Sequence, residues 1–236
     1  MKLGLNNNLV TPNVGAVGAE FSLTDISGLQ LWLKNGGSQT LNSGNISQWN
    51  DDSGNNNHAT QSSASFQPNA DGGGAEFDGT DDRFDLTSNI VLNAYHIFIV
   101  LETDTTSNET FLGGASGEFI RIKTSTAVRA KHNNALTDIN FDSGKTWSAN
   151  TKALLEVVRK DDDDYDVFVD GVHYTSTTSA TNDTSANALT LSQVGTQLNN
   201  SATTDGHIYE VAIYNTPITG GDLTNVRNNI NTRNGL

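Results

Sequence analysis

The stretch AYHIFIVLET, residues 94–103, decides the fold class of this chain. Apolar side chains occupy almost every position, so both faces of an extended segment would be apolar. This pattern is typical of a central strand in a sandwich, which is covered on both sides. This stretch is therefore predicted to be a middle strand of a sheet.

Further strand patterns lie on both sides of this stretch, separated by turn residues roughly every ten positions. One pair looks like a hairpin, and Asp170-Gly171 is a turn signal between β-branched and aromatic residues. The predicted strands are LQLWLK (29–34), EFIRIKT (118–124), AVRAKHN (127–133), KALLEVVRK (152–160), YDVFVDGVHY (165–174), ALTLSQVG (188–195) and GHIYEVAIYN (206–215).

Only the C-terminal end has a helical pattern. Leu223, Val226 and Ile230 recur at three- and four-residue steps, Thr219 can cap the helix, and Gly235 can end it. The sequence therefore predicts an all-β fold, a two-sheet antiparallel jelly-roll sandwich with a short C-terminal helix. We expect an N-terminal arm over residues 1–24 and one domain over residues 25–236.

Composition limits the classes of function. The 236 residues carry 13 basic and 27 acidic side chains, and the net charge of −14 would repel a phosphate backbone, so we expect no nucleic-acid partner. This acidity suits solubility, divalent cations or a salty environment. There is no Cys, which excludes disulfides and thiolate metal sites. We expect no membrane insertion and no secretion signal, because no apolar stretch approaches the length of a membrane span.

Four separated stretches resemble the concanavalin A-like, laminin-G-type jelly rolls of bacterial and viral surface proteins. They are GLQLWLKNG (28–36), ISQWNDDSGNNNHATQ (46–61), AEFDGTDDRFDL (75–86) and DGHIYEVAIYNTPITGGDL (205–223). The resemblance covers residues 25 to 234, and four motifs in this order are more specific for the fold than for function.

The N-terminus, with LGLNNNLVTP followed by FSLTDISGLQLWLKNG, is similar to structural proteins of marine tailed bacteriophages. That resemblance implies a protein of the virion surface, decorating a head or tail and assembled in the host cytoplasm. It also implies contacts with other virion proteins through the N-terminal arm, and a homo-oligomer or multi-copy assembly.

A calcium site is one interpretation of the turn after Trp49. Asp51, Asp52 and Asn55 offer hard oxygen ligands within a few residues, and Asp78 could add another from a second turn. Jelly rolls of the resembled family often hold a structural calcium near this turn. The alternative, which we favour, is an Asx-turn in which the side chains of Asp51 and Asn57 bind backbone N–H groups while Trp49 packs in the core.

Three residues are candidates for carbohydrate contact. Trp147 lies in the polar stretch SGKTWSANT and could stack on a sugar ring or instead close the edge of the sandwich. Tyr165 and His132 are weaker candidates of the same kind. Trp32 and Trp49 are assigned to the core. The run KDDDDYD (160–166) is interpreted as an exposed hairpin tip.

Catalysis is not expected. Glycosidases of the resembled fold use a Glu-x-Asp-x-x-Glu strand, and the nearest candidates here, Glu76 with Asp78 and the single Glu156, lack the third acid. The favoured hypothesis is therefore a non-enzymatic virion surface protein with a lectin-like domain. The alternative is a carbohydrate-binding adhesin module for host or environmental glycans, and the third is an inactive relative of glycoside hydrolases.

Overall fold

The computed structural model describes residues 20–114, 117–132, 135–141, 146–160, 165–181, 188–197 and 202–236. Every strand pairing in these segments is antiparallel. The strands form two sheets that pack face to face, with one α-helix at the C-terminal end. The predicted two-sheet sandwich with a terminal helix is confirmed.

The front sheet is built around the apolar stretch of residues 94–103. Its central strand, β8, pairs on one edge with β20 and on the other with β13, and β20 pairs in turn with β6 along its first half and β1 along its second. The strands of this sheet are β1 (Leu29–Leu33), β5 (Asn69–Asp71), β6 (Gly74–Asp78), β8 (Tyr95–Thr103), β13 (Ala153–Arg159), β14 (Tyr165–Val169), β15 (Val172–His173) and β20 (Asp205–Tyr214).

The back sheet has the order β4-β7-β17-β9-β10-β11-β12-β16. Its strands are β4 (Ala59–Thr60), β7 (Phe84–Leu92), β9 (Glu109–Gly113), β10 (Phe119–Thr124), β11 (Ala127–His132), β12 (Ala135–Phe141), β16 (Thr175–Thr181) and β17 (Leu189–Val194). A hairpin of β2 (Gln39–Asn42) and β3 (Asn45–Trp49) joins the two sheets at one edge, because β3 pairs with both β4 and β5. A small hairpin, β18 (Thr196–Gln197) and β19 (Ala202–Thr203), follows β17.

The central strand β8 is apolar on both faces because a different part of the molecule packs on each face. Ile97 and Ile99 point into the core between the two sheets, whereas Phe98 and Val100 belong to a second cluster on the opposite face. This second cluster is covered by the C-terminal helix. Both faces of β8 are therefore buried, one by the back sheet and the other by the helix, as its sequence predicts.

The C-terminal helix, α1 (Gly220–Asn234), packs on the outer face of the front sheet. Val226 and Ile230 are fully buried there, and Gly235 ends the helix in the left-handed conformation, with φ 70°. Thr219 is the N-cap residue, although its side chain makes no capping hydrogen bond. No helix in the described part of the chain combines the length and apolar character needed to cross a bilayer.

The predicted N-terminal arm, residues 1–24, lies mostly outside the described residues. Its last part is attached to the sandwich: a short 3₁₀ helix, Leu23–Asp25, is closed by a capping box with Ser22, and Leu23 is fully buried beside α1. The backbone carbonyl of Leu23 also accepts a hydrogen bond from the Tyr214 hydroxyl at 3.0 Å. A second 3₁₀ helix spans Ala64–Phe66.

Other predicted elements are confirmed. The hairpin expected over residues 118–133 is β10 and β11, and Asp170-Gly171 forms the turn between β14 and β15 with φ angles of 51° and 76°. Trp32 and Trp49 are buried. The four consecutive aspartates of KDDDDYD, residues 161–164, lie outside the described residues, between the paired strands β13 and β14.

Candidate functional site

The Asp51 carboxylate organises the turn that follows β3. Oδ1 accepts hydrogen bonds from the backbone N–H groups of Trp32 and Ser53, both at 2.9 Å. Oδ2 accepts from the Ser53 hydroxyl at 2.8 Å and the Asn57 N–H at 2.9 Å. Four donors occupy the four lone-pair directions of a carboxylate. A cation at this position would have to displace those donors, so the contacts agree with the Asx-turn interpretation.

The other residues of the predicted calcium set have different positions. Asn55 donates from Nδ2 to the backbone carbonyls of Leu29 and Gln30, at 2.9 and 3.1 Å, and so fastens the turn to β1. The half-buried Asp52 side chain makes no hydrogen bond among the described residues, while its backbone N–H donates to the Trp32 carbonyl at 2.8 Å. The polar turn is therefore fixed by the protein itself.

Asp78 lies far from the turn of Asp51. Asp51 bridges to Leu33, which pairs with Val211, whereas Asp78 pairs with Asp205. Positions 205 and 211 of one strand are about 20 Å apart. The structure does not bring the predicted set together into one site.

Asp78 instead belongs to a group of three carboxylates with Asp81 and Asp82, whose oxygen atoms lie within 4.8 Å of one another. Asp78 Oδ1 accepts backbone hydrogen bonds from Thr80 and Asp81 at 2.8 and 3.2 Å. Burial, and then the negative charge of Asp78, raise the pKa of Asp82 to about 6. Two neighbouring like charges in a poorly solvated place explain this shift. The group has the hard oxygen ligands that calcium prefers.

His132 and Tyr165, two of the predicted sugar contacts, do lie together, but in the core. The Tyr95 hydroxyl is 2.9 Å from His132 Nε2, and the Tyr165 hydroxyl is 3.3 Å from Nδ1. His132 is fully buried, and its burial, with the charge of Arg159, lowers its pKa to about 3. A ring that stacks on a sugar needs a face open to solvent. These two rings fill the sandwich instead of a binding surface.

Trp147 is also a core residue, with 4% of its surface exposed. Its indole Nε1 donates to the Thr103 hydroxyl at 2.9 Å, and its backbone N–H donates to the Ser125 carbonyl. It borders a small hollow of 180 Å³ beside Tyr174 and Asp170. This position matches the alternative interpretation, in which the ring closes the edge of the sandwich, and leaves no ring face for a sugar.

The acids considered for catalysis are separated. Glu156, fully buried, accepts two hydrogen bonds from Arg227 of α1, at 2.8 and 2.9 Å, and one contact from His96 at 3.1 Å. Glu76 is half-exposed on β6, where Asn69 donates to it at 3.3 Å. Asp78 is part of the three-carboxylate group. Glu156 therefore serves to hold α1 on the sheet.

A groove of about 460 Å³ lies at the edge where the β2–β3 hairpin meets the back sheet. We call it the amide groove because amide, hydroxyl and carboxylate side chains surround it. It is lined by Thr40, Asn42, Ser47, Gln48, Thr60, Gln61, Ser62, Gln67 and Asp85. Thr60 and Asp85 are cross-strand partners whose neighbours Ala59, Phe84 and Leu86 point into the core. Alternation along β4 and β7 therefore directs polar side chains to the groove.

Hydrogen bonds between the lining residues fix the shape of the amide groove. Gln67 Nε2 donates to the Gln61 carbonyl at 2.7 Å, and Asn42 Nδ2 donates to Gln67 Oε1 at 3.1 Å. Gln61 and Gln67 are buried. Asp85 Oδ1 accepts from Gln193 at 3.0 Å. A ligand would thus meet side chains that are already oriented, which lowers the entropic cost of binding.

Several groups of the lining residues remain available. Among the described residues, no hydrogen bond engages the side-chain oxygens of Asn42 and Gln48, Oδ2 of Asp85, or the hydroxyl groups of Thr40 and Ser62. Hydroxyls both donate and accept, and the other three atoms accept. The groove can therefore bind a ligand that carries many hydroxyl groups.

The amide groove is not evident from the sequence. Its residues come from four strands and the 61–67 segment, which only long-range pairing brings together. One local signal was present: polar residues at positions 40 and 42 and at 60 and 62 alternate with apolar or buried ones. That pattern marks a solvent-facing strand surface, but it does not separate a groove from an ordinary surface.

Comparison with known proteins supports the fold. No family model and no curated protein sequence matches the chain. A Trypanosoma rangeli sialidase solved in complex with sialic acid is similar over 88% of this chain, with 15% identity and a TM-score of 0.55. Domain 4 of AbnA, a GH43 extracellular arabinanase from Geobacillus stearothermophilus, in complex with arabinotriose, matches 84% of this chain and 98% of its own, with 19% identity and a TM-score of 0.48.

The chain spans 33% of the length of the sialidase chain that it matches. At this identity the likeness shows a shared β-sandwich, consistent with the concanavalin A-like fold implied by the sequence motifs. A shared fold does not determine function.

Proposed function

We propose that this chain is a non-enzymatic glycan-binding β-sandwich protein and that the saccharide lies in the amide groove. The observation that carries this proposal is the row of fixed, unengaged acceptors and hydroxyls on Asn42, Gln48 and Asp85, Thr40 and Ser62. The volume of the amide groove, about 460 Å³, falls in the range of small-ligand pockets, about 300–1,000 Å³. The likeness in fold to a sialidase solved with sialic acid is in keeping with a saccharide ligand.

The acids of the molecule favour binding over cleavage. Glycoside hydrolysis commonly uses two carboxylates on either side of the scissile bond. The amide groove is lined by one, Asp85. Glu156 is engaged by Arg227 beneath α1. A groove with one carboxylate can orient a sugar, but it lacks the acid–base pair.

The test is a glycan array read with the wild-type chain and with Gln48→Ala. Gln48→Ala removes an acceptor from the groove, and we expect an affinity loss of about tenfold, the equivalent of one ordinary hydrogen bond. Gln30→Ala is the matched control, because Gln30 is a half-buried glutamine on β1 whose amide bonds only the Gly28 carbonyl, at 3.2 Å.

The proposal holds if a glycan binds the wild type and Gln30→Ala equally and Gln48→Ala more weakly. Equal binding by the wild type, Gln48→Ala and Gln30→Ala would show that the glycan binds outside the amide groove. Release of reducing ends from the bound glycan would contradict the absence of catalysis.

A role on the virion surface is the finer proposal, and its support is the resemblance of the N-terminus to phage structural proteins. In this proposal residues 1–19 contact other virion proteins, and the sandwich is displayed in many copies. Phe21 and Leu23 are tied to the domain, since the Phe21 carbonyl accepts from Asn229 at 3.0 Å and Leu23 is buried. Deleting residues 1–19 should therefore abolish incorporation into particles while leaving the melting temperature unchanged.

Calcium is proposed for the group of Asp78, Asp81 and Asp82. What supports it is the convergence of their oxygens within 4.8 Å, together with the raised pKa of Asp82, because a bound divalent cation would relieve the repulsion among them. The ion would stiffen the turn after β6 and take no part in holding the saccharide.

A further inference from the structure

Four of the 13 basic residues of this acidic chain lie on two adjacent strands of the back sheet. Arg121 and Lys123 alternate along β10 with the buried Ile120 and Ile122. On β11, Arg129 and Lys131 alternate in the same way with Val128 and Ala130. All four basic side chains therefore leave the sheet on its outer face. We call this surface the basic patch.

Two arginines of the basic patch are placed directly opposite each other. Arg121 pairs with Arg129 across β10 and β11, and like charges in this position destabilise a sheet. Asp138 compensates only part of the patch: it forms a bidentate ion pair with Arg129, with Nη2–Oδ2 at 2.9 Å, and binds Lys123 at 2.7 Å. Burial, followed by the charge of Arg129, lowers the pKa of Arg121.

Arg121 has no hydrogen-bond partner among the described residues, and its Nε is buried. Two other arginines with a buried Nε, Arg83 and Arg159, are held by bonds from Nη1 to backbone carbonyls, at 3.3 and 2.7 Å. The Arg121 guanidinium instead lies over the ring of Phe119, 4.2 Å from its centroid. A buried polar group without a partner calls for an explanation, and a bound ligand is one.

We propose that the basic patch binds an acidic polysaccharide, with Arg121 holding a carboxylate or sulfate group. A guanidinium presents a planar fork of donors that matches either group. The neighbouring Lys131, opposite Phe119, makes no ion pair with a described residue and extends the positive surface along the sheet. Side chains two positions apart on a strand are about 7 Å apart, so the patch suits anionic groups repeated along a chain.

The basic patch is separate from the amide groove. In the back sheet, β9 lies between the strands of the amide groove and those of the basic patch. The hairpin of β18 and β19 packs closely on β9, since a Cβ added to Gly113 would be 2.1 Å from the Thr196 carbonyl oxygen. The basic patch is therefore a second binding surface, and it offers positive charge where the amide groove offers amides and hydroxyls. A guanidinium also binds phosphate, so a DNA duplex is the alternative polyanion that the experiment has to compare.

The experiment measures binding of heparin, alginate and dextran to the full chain at low ionic strength. Heparin carries sulfate and carboxylate groups, alginate carries carboxylates only, and dextran is neutral. We expect binding of at least one of the two acidic polymers and none of dextran. Arg121→Gln should weaken that binding about tenfold, the usual loss for a charge-assisted hydrogen bond. Lys34→Gln, which changes the net charge equally at the end of β1, should leave it unchanged.

Stability gives the second readout. Because Arg121 faces Arg129 and has no hydrogen-bond partner in the described part of the chain, Arg121→Gln should keep or raise the melting temperature, whereas substitution of a structural arginine would lower it. Gln48→Ala in the amide groove should leave polyanion binding unchanged, so failure of the groove and failure of the patch are distinguishable. Equal affinity of wild type and Arg121→Gln, tighter binding of a DNA duplex than of either acidic polysaccharide, or a lowered melting temperature would overturn the proposal.

Discussion

Glu156 of β13 and Arg227 of α1 form a two-hydrogen-bond ion pair, with Nε–Oε1 at 2.8 Å and Nη2–Oε2 at 2.9 Å. Glu156 is fully buried, so this pair fastens the helix to the outer face of the front sheet. Glu210 and Arg233 form a similar pair on β20, which is separated from β13 by β8. The Trp32 indole N–H also donates to Glu210, at 2.7 Å. Two glutamates that could be mistaken for catalytic acids thus have a structural role.

Removing one partner of this buried pair should be strongly destabilising. Arg227→Met leaves the Glu156 carboxylate buried without its cation, and we expect a loss of about 3–5 kcal/mol in unfolding free energy. The double variant Glu156→Leu/Arg227→Met should recover most of that loss, because no charge is left unpaired. Denaturant unfolding of the three chains measures both values, and equal stability of single and double variants would contradict the clamp.

The Asp51 turn should depend on its carboxylate. Asp51→Ala leaves the backbone N–H groups of Trp32, Ser53 and Asn57 without their acceptor, and the expected loss is about 3 kcal/mol. Asp52→Ala is the control, since the Asp52 side chain makes no hydrogen bond with a described residue and should change stability by about 0.5 kcal/mol or less. If the two variants unfold alike, the turn is held by something other than this carboxylate.

Asp82 should make the protein more stable as the pH falls. Its pKa is about 6 in the folded protein against an ordinary value of 3.8, so between these values the native state binds more protons than the unfolded chain, and stability decreases as the pH rises. Asp82→Asn should therefore raise the melting temperature at pH 7 in the presence of EDTA. Thermal unfolding from pH 4 to pH 7 measures this, and a lower melting temperature of the variant at pH 7 would show that the charged form is favoured.

Calcium should reverse the effect of that substitution. An ion bound by Asp78, Asp81 and Asp82 stabilises only the native state, so added calcium should raise the melting temperature of the wild type. Asp82→Asn should lose most of this gain. The Asp51 variants should keep it, because their turn is a separate structure. A wild-type chain indifferent to calcium and EDTA would rule out the proposed ion.

His132 should act in the opposite direction to Asp82. Its pKa is about 3 in the folded protein against an ordinary value of 6.5, so the unfolded chain binds the proton between these values, and stability is lost as the pH falls. His132→Phe should reduce this acid sensitivity. At pH 8 the variant should be about 1–3 kcal/mol less stable, because the hydroxyls of Tyr95 and Tyr165 lose their hydrogen bonds with His132. An unchanged pH profile would contradict the assignment.

Sequence pattern was sufficient for the fold because strand alternation is local. The double apolar face of β8, the β10–β11 hairpin and the helix ending at Gly235 each follow from neighbouring residues. The two core tryptophans, Trp32 and Trp49, were also predictable, since each sits among alternating strand residues. These features do not depend on which strands meet.

The site was less predictable because it depends on long-range pairing. Trp147 lies among polar neighbours, and nothing near it in sequence shows that its indole meets Thr103, 44 residues away. In the sequence, Asp51 and Asp78 could belong to one ligand set. The strand pairings separate them, because Asp78 lies beside the first half of β20 and Asp51 lies near its second half. The opposition of Arg121 and Arg129 also appears only once the hairpin register is known.

The most direct test of the central claim is a ¹⁵N NMR titration of the chain with the glycan that binds best on the array. We predict that the largest shift changes fall on the side-chain amides of Asn42, Gln48 and Gln61 and on the backbone near Thr60 and Asp85. Shift changes centred on Trp147, His132 and Tyr165, with the amide groove unaffected, would contradict it.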